Sequence, residues 1–297
     1  MKEKIAIVVV TFNRLNLLRE CIAVLQKQTC PADAIIVINN NSTDGTSDWL
    51  NTQESLTVVH QENLGGAGGF HRGIKEAYET GYDWVWVMDD DVEPAVDCLE
   101  NLMKYTSISE CIHPIRKYLD GEVVDGELIW DLTRNSMLFL SNRSLKNGKE
   151  YWTINNACFE GMLISKKLIE KIGFPDPRFF IVYDDFIYGF YASLYTNVIV
   201  VKSALMIRKK LSSTEKWSPM YMYYSMRNLF LIEEYKEKFF PLSSKKEIKK
   251  THFRAPISNA RMILKLRDYS ITQKKKLLFA VFKGYIDGRQ KKVGKSF

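Results

Sequence analysis

Three consecutive aspartates, Asp89-Asp90-Asp91, follow the apolar run Trp84–Met88. In an extended segment alternate side chains point the same way, so Asp89 and Asp91 are predicted to converge while Asp90 turns aside. Two carboxylates held together in a crevice repel unless a cation neutralises them. Hard oxygen ligands suit Mg2+ or Mn2+, whose remaining positions go to water and phosphate oxygens. A plainer reading is a solvated turn with helix-capping aspartates, since Pro94 follows. A second acidic pair, Asp184-Asp185, lies among Phe179, Phe180, Tyr183, Phe186 and Tyr188. Aromatic walls weaken solvation and raise a carboxylate's pKa, which suits proton abstraction. An acidic pair favoured by a helix dipole explains the same residues structurally.

Two further clusters are polar without being acidic. Asn63-Leu64-Gly65-Gly66-Ala67-Gly68-Gly69 contains four glycines in seven residues. Read as a loop, it permits positive φ and close backbone approach to a ligand, and the helix that follows favours an anion at its N-terminus. It is neither a dinucleotide fingerprint nor a P-loop. Asn39-Asn40-Asn41-Ser42-Thr43-Asp44-Gly45 offers amides that read a nucleobase edge as donor and acceptor. Asn39 and Asn40 are assigned to a ligand, with Thr43 or Asp44 left to cap a short helix.

Positioning these groups needs a repeating scaffold. Ile5–Val10, Ala34–Ile38, Thr57–His60 and Asp83–Met88 read as strands. Leu15–Gln28, Thr46–Leu50 and Phe70–Thr80 read as helices, the last ending at Gly81. Strands alternating with helices predict βαβ units and a parallel sheet, in which ligands collect beyond the strands' carboxyl ends. Thr11–Arg14, Asn39–Asp44, Asn63–Gly69 and Asp89–Asp91 all follow strands, so they are predicted to share one edge. Asp120–Gly148 reads as a polar insertion or a small antiparallel excursion, Phe159–Ile169 as strand then helix, and Asn197–Val201 as another strand. From Tyr221 onward the pattern is helical, aromatic and then basic.

Composition bounds the rest. The 297 residues are 46% apolar and 26% charged, which excludes disordered, collagenous and low-complexity classes. The first apolar run is too short for a leader and reads as a buried strand, and no run is long enough to span a bilayer. Five scattered cysteines without CxxC spacing argue for buried thiols in a reducing cytoplasm. The four histidines, His60, His71, His113 and His252, read as structural. From Ser243 to Phe297 there are 16 Lys/Arg against 3 Asp/Glu, whereas the rest carries 26 against 32. Such a basic tail attracts phosphates. Phe253, Ile257, Ile263, Leu264, Leu277, Leu278, Phe279, Val281 and Phe282 alternate there with lysines, so it reads as a basic amphipathic surface helix or a packing helix. No nucleic-acid module accompanies it.

Together these segments resemble the family 2 glycosyltransferases, inverting enzymes of the GT-A fold, from Ile5 to about Asn228. The resemblance rests on Val9-Val10-Thr11-Phe12-Asn13-Arg14, Ile38 to Thr46, the Asn-Leu-Gly-Gly segment, the aspartate triplet and Tyr183-Asp184-Asp185. The glycine-rich stretch ending at Phe70 looks most like the UDP-galactofuranose-using branch. The resemblance implies an α/β fold with a Rossmann-like, mixed but mostly parallel sheet flanked by helices over 1–215, and a helical basic extension over 216–297. It implies that Thr11, Arg14 and Asp90 serve the nucleotide and phosphates, Asn39 and Asn40 the uracil, and Asn63 the nucleotide-sugar. Asp89 and Asp91 would bind Mn2+ or Mg2+, and Asp185 would be the general base. The expected partners are a UDP-sugar and a glycan acceptor, lipid-linked at the inner face of the cytoplasmic membrane, in O-antigen or capsule synthesis. A rhamnosyltransferase using dTDP-rhamnose, or a nucleotide-sugar-binding protein without turnover, would share most of these features. Two departures stand out. Many relatives carry Asp where Asn39 stands, and Leu205–Lys210 lacks the metal-binding His often found there, which assigns Arg208 to the diphosphate.

Overall fold

The computed structural model describes residues 3–124, 128–131, 136–139, 148–214, 217–239 and 245–297. The first half alternates strand and helix: β1 (Ile5–Thr11), α1 (Leu15–Leu25), β2 (Ala34–Asn39), α2 (Thr46–Leu50), β3 (Thr57–His60), α3 (Gly65–Thr80) and β4 (Trp84–Asp89). There follow β5 (Val92–Pro94), α4 (Cys98–Met103), β6 (Cys111–Tyr118), a small hairpin of β7 (Leu128–Asp131) and β8 (Ser136–Phe139), and β9 (Tyr151–Ile154). Then come β10 (Leu163–Ser165), α5 (Lys166–Ile172), α6 (Asp184–Ser193) and β11 (Val198–Arg208). Three helices finish the chain: α7 (Pro219–Phe239), α8 (Lys245–Lys265) and α9 (Ile271–Arg289).

The main sheet runs β3-β2-β1-β4-β10-β6-β11-β5, with β9 also on β11. β1 lies parallel to β2 and β4, and β2 parallel to β3. β10 enters antiparallel between β4 and β6, and β6 is again parallel to β11. The predicted mixed, mostly parallel sheet flanked by helices is therefore present. β1 is buried throughout and splits its side chains by alternation. Ala6, Val8 and Val10 pack with Phe70 and Ile74 of α3, while Ile5, Ile7 and Val9 pack with Leu18 and Ile22 of α1.

The glycine segment corrects its prediction. It is not a loop: Gly65 begins α3, and of its four glycines Gly65 alone has positive φ, at 73°. Gly69 works by close approach, as does Gly73 one turn further on. A Cβ on Gly69 would lie 2.4 Å from Val10, and one on Gly73 2.2 Å from Val8, so the missing side chains let α3 settle directly on β1. Two strands carry no clear pattern in the sequence, β6 and β9. β11 outruns its predicted end and slips register between Val201 and Leu205, three extra residues bulging while β6 advances from Pro114 to Ile115.

Candidate active site

The loops after β1, β2, β3 and β4 gather at one rim. They are stitched together by short polar bonds: the Asn13 amide N–H donates to the Ser42 hydroxyl (2.9 Å), the Thr43 N–H to Asn13 Oδ1 (2.7 Å), and the Leu15 N–H to Asp44 Oδ2 (3.0 Å). The second bond is helped by Asn13 taking the left-handed backbone that asparagine tolerates. Asp44 thus serves the start of α1 as well as the predicted cap, where its other oxygen accepts from Thr46. At this rim opens an outer cavity of about 250 Å³ lined by Thr11, Arg14, Asn40, Asn63, Gly66 and Asp89, with Ile181 and Met220 closing one side.

The aspartate triplet differs from the alternation argument in one respect. Asp90 does not turn aside: it is buried, accepting from the Thr11 hydroxyl (2.6 Å) and from Arg14 Nη1 (3.0 Å). The same Arg14 nitrogen reaches Asp91 at 2.9 Å. The chain turns immediately after β4 into β5, so β-strand alternation ends at Asp89. Burial, then the charges of Asp91, Glu160 and Asp90, push Asp89 well above the usual carboxylate range. Burial also raises Asp90, against the pull of Arg14 and the Thr11 hydroxyl.

Asn40 is buried with its amide accounted for, Nδ2 donating to the Gly65 carbonyl (3.1 Å) and Oδ1 accepting from Gln61 (2.7 Å). Asn63 Oδ1 accepts the Gly65 N–H. Asn39, assigned to the uracil, lines neither this cavity nor the next. It is fully buried, its Oδ1 accepting from the Ser42 N–H and its Nδ2 meeting Ser47 and His60, so it braces the loop from within.

An inner cavity of about 180 Å³ adjoins the outer one, sharing Gly66, Asp89 and Ile181 with it. Its wall carries Asp184 and Asp185 at the start of α6, and Arg116, Glu160 and Arg208. The two carboxylate groups that are far apart in sequence, Asp89 and Asp185, therefore face one space. Burial raises the pKa of Asp185, partly offset by the Phe186 N–H (2.7 Å) and by Arg116. Asp184, buried at 7% exposure, is raised further by burial and by Asp185.

Arg208 lies in the inner cavity rather than the outer. Its Nε donates to Glu160 Oε1 at 2.7 Å, its Nη2 to Oε2, and Arg116 Nη1 also donates to Oε2. Burial alone would raise Glu160, but the two guanidiniums override it and hold the carboxyl below its ordinary value. Glu160 and Arg116 were not picked out from the sequence. The available signal was a single charge inside an apolar stretch, Cys158-Phe159-Glu160-Gly161-Met162 and Ile112–Arg116, which marks a buried charge that must be paired.

Three histidines have structural contacts: His60 with Asn39 and Asn51, His71 with the Pro175 carbonyl, and His113 between the Pro114 and Cys158 carbonyls. The side chains of His252 and Phe253 lie outside the described ones. The described cysteines are free thiols, four of them buried. Among the described residues no helix is long and apolar enough to cross a membrane. In the basic tail, Ile263, Leu277 and Val281 pack against α7, while Ile271, Phe279, Phe282 and Ile286 form an exposed stripe along α9.

Comparison with known proteins agrees with this geometry. Residues 6–173, more than half of the chain, match the family model described as glycosyl transferase family 2. The chain is 28% identical over 194 residues to galactofuranosyltransferase GlfT1 of Mycolicibacterium smegmatis and 31% identical over 202 residues to GlfT1 of Mycobacterium tuberculosis. Each match covers 62% of this chain and 63% of the relative, so it spans less than two thirds of those proteins. A solved structure, mannosyltransferase PcManGT from Pyrobaculum calidifontis in complex with GDP-Man and Mn2+, superposes with a TM-score of 0.57 at 15% identity, covering 98% of this chain and 88% of that one. At that identity the likeness is one of fold.

Proposed function

The chain belongs to glycosyl transferase family 2, and from that premise we propose that it is an inverting glycosyltransferase that moves galactofuranose from UDP-galactofuranose to a hydroxyl of a glycan acceptor. The observation that carries the reading is the shared wall of the two cavities: Asp89 lines both, and Asp185 faces it across the inner one. The relatives named galactofuranosyltransferase support the choice of sugar.

In this reading the outer cavity takes the nucleotide. Arg14, half-exposed while its Nη1 is anchored on Asp90 and Asp91, presents its remaining N–H groups to phosphate oxygens. Asn40 and Asn63 line the cavity toward the glycine turn of α3. The inner cavity takes the sugar and the acceptor hydroxyl. Asp185 accepts the hydroxyl proton as the oxygen attacks the anomeric carbon from the face opposite UDP, and one displacement inverts that centre. Such base catalysis contributes about 10²–10⁴-fold. Arg116 and Arg208 exceed Glu160 by one positive charge, which offsets the Asp185 carboxylate on the same wall.

Asp89 and Asp91 would hold Mn2+ or Mg2+. The donor set fits: Asp89 is crowded by the charges of Asp91, Glu160 and Asp90, and carboxylate oxygens are what hard cations take. Among the described residues no three or more His, Cys, Asp or Glu side chains are grouped to hold a metal, which leaves water and diphosphate oxygens to complete the shell. Bound there, the ion supplies Lewis-acid neutralisation of charge growing on the departing UDP.

The acceptor in this reading is lipid-linked, with residues 1–215 as the catalytic unit and the basic helices of 216–297 against an anionic membrane surface. The exposed α9 stripe among Lys275, Lys276 and Lys283 supports that orientation. The test is release of nucleotide from UDP-galactofuranose or dTDP-rhamnose with Mn2+ and a galactofuranosyl glycoside acceptor. Acceptor-dependent UDP release is expected. Release from dTDP-rhamnose instead would change the donor, and tight UDP binding with no transfer from either would leave a binding protein.

A further inference from the structure

The segment that leads into α6 is strained and held from behind. Phe180, Val182 and Tyr183 have φ of 65°, 70° and 73°, a region that L residues avoid and a β-branched valine avoids most. Such a run persists where its surroundings over-determine it. Here the surroundings are two adjacent side chains of α7. Asn228 is fully buried, and its Nδ2 donates toward the carbonyls of Phe179 (3.2 Å), Ile181 (2.8 Å) and Val182 (2.8 Å). Arg227, 1% exposed, donates through Nη2 to the carbonyls of Arg178 (3.0 Å) and Phe179 (2.5 Å). Through Nε and Nη2 it also donates to Asn228 Oδ1 at 2.8 and 2.6 Å, which settles which way the asparagine amide points.

The arginine's third nitrogen reaches the Gly294 carbonyl (2.5 Å), and the Gly294 N–H returns to the Arg178 carbonyl (2.8 Å), so the chain's last turn joins the clamp. Taking a guanidinium out of water to serve carbonyls is costly, and burial pulls Arg227 below its ordinary pKa. From the other side, the Phe180 carbonyl accepts the Ala67 N–H (3.0 Å) and approaches so close that a Cβ on Gly65 would lie 2.1 Å from it. Neither Arg227 nor Asn228 lines either cavity, yet the segment they grip walls both: Ile181 lines the two, and Val182 and Asp185 the inner.

We propose that Arg227 and Asn228 are positioning residues that hold 178–183 in its strained form, so that the segment presents Asp185 to the inner cavity. The proposal rests on reading Asp185 as the base, and its test separates the two ideas. In the full chain, Asn228→Ala should speed amide hydrogen exchange over 179–186 by about tenfold or more, with the β1–β4 amides unchanged. In transfer from UDP-galactofuranose with Mn2+, kcat per folded molecule, the folded fraction being read by circular dichroism, should fall about 100-fold while the donor KM moves by less than about threefold, and that normalisation removes any loss from unfolded chain. Unchanged exchange overturns the proposal, as does faster exchange with wild-type kcat. Should Asn228→Ala not fold, Arg227→Lys keeps the charge and loses the fork, and the same readouts decide, with exchange about fivefold faster. If the wild-type chain transfers from no donor, the enzyme reading fails by itself, and the exchange measurement alone decides whether this pair clamps the segment.

Discussion

Two clusters of charge meet at Asp89, and they are built in opposite ways. At the outer rim Asp90 and Asp91 share one nitrogen of Arg14, which is 46% exposed, with Asp89 within reach of its charge. In the inner wall a single Glu160 is held by two arginines, and Arg116 is as buried as the glutamate. One cluster is short of positive charge and takes it from a half-exposed arginine; the other sets two arginines on one glutamate beside the Asp185 carboxylate, and of those three charged groups Arg208 alone is partly exposed. In the proposed reading the difference gives each kind of ligand its place: a cation beside the first, the departing negative charge between the two. It also sets how much each ion pair is worth, because screening is strong at the rim and weak inside.

The comparison is tested hardest at Asp185, which borders the inner cluster. Asp185→Asn should reduce transfer by about 10²–10⁴-fold while UDP binding by calorimetry is retained; near-normal turnover would remove the base. Glu160→Gln leaves the buried Arg116 and the partly exposed Arg208 without their anion and should lower stability in urea denaturation by about 3–5 kcal/mol. A loss below about 1 kcal/mol would mean that the two clusters are energetically alike. At the rim, Asp91→Ala should cost under about 1 kcal/mol in the same denaturation, yet weaken Mn2+-dependent UDP binding about tenfold or more; unchanged affinity would exclude Asp91 as a ligand.

The pH profile sharpens the contrast further. In the proposed reading Asp185 works as the anion; burial raises its pKa, so the rate should fall as pH drops through a midpoint above the ordinary value of about 3.9. Glu160 has the opposite sign: its depressed pKa contributes stability that is present above the unfolded value and lost as pH falls through the folded one. An acid limb of kcat at or below the ordinary carboxylate value would contradict the burial of the base. The smallest effect belongs to the tail. Phe282→Ser on the exposed stripe should leave stability within about 0.5 kcal/mol but reduce sedimentation with anionic vesicles, and equal sedimentation would turn that stripe away from a membrane.

Much of this was legible in the residues. Continuous apolar runs marked β1, β2 and β4, and polar clusters directly after them marked the rim, because both signals are local. The glycine segment was misjudged for a physical reason: a glycine chosen for φ and one chosen for contact look identical in sequence, and Gly69 and Gly73 are there for contact with Val10 and Val8. Arg116, Glu160 and Arg208 meet through strand pairing between β6 and β11, which no local pattern announces. Arg227 and Asn228 carry no local signal of their part, since the carbonyls they grip lie 46 to 49 residues away. The tail was two things at once, a packing face through Leu277 and Val281 and a bare one through Phe279 and Phe282.

The slip in β11 has a consequence for reach. Continued straight from Val201 opposite Pro114, the strand would bring Leu205 level with Tyr118 and carry Arg208 three residues, about 10 Å, beyond it. The three looped-out residues take up that slack, so Arg208 arrives level with Tyr118 and within grasp of Glu160. The bulge acts as a tailor's tuck: unpicking it would lengthen the ladder and leave the inner wall one guanidinium poorer.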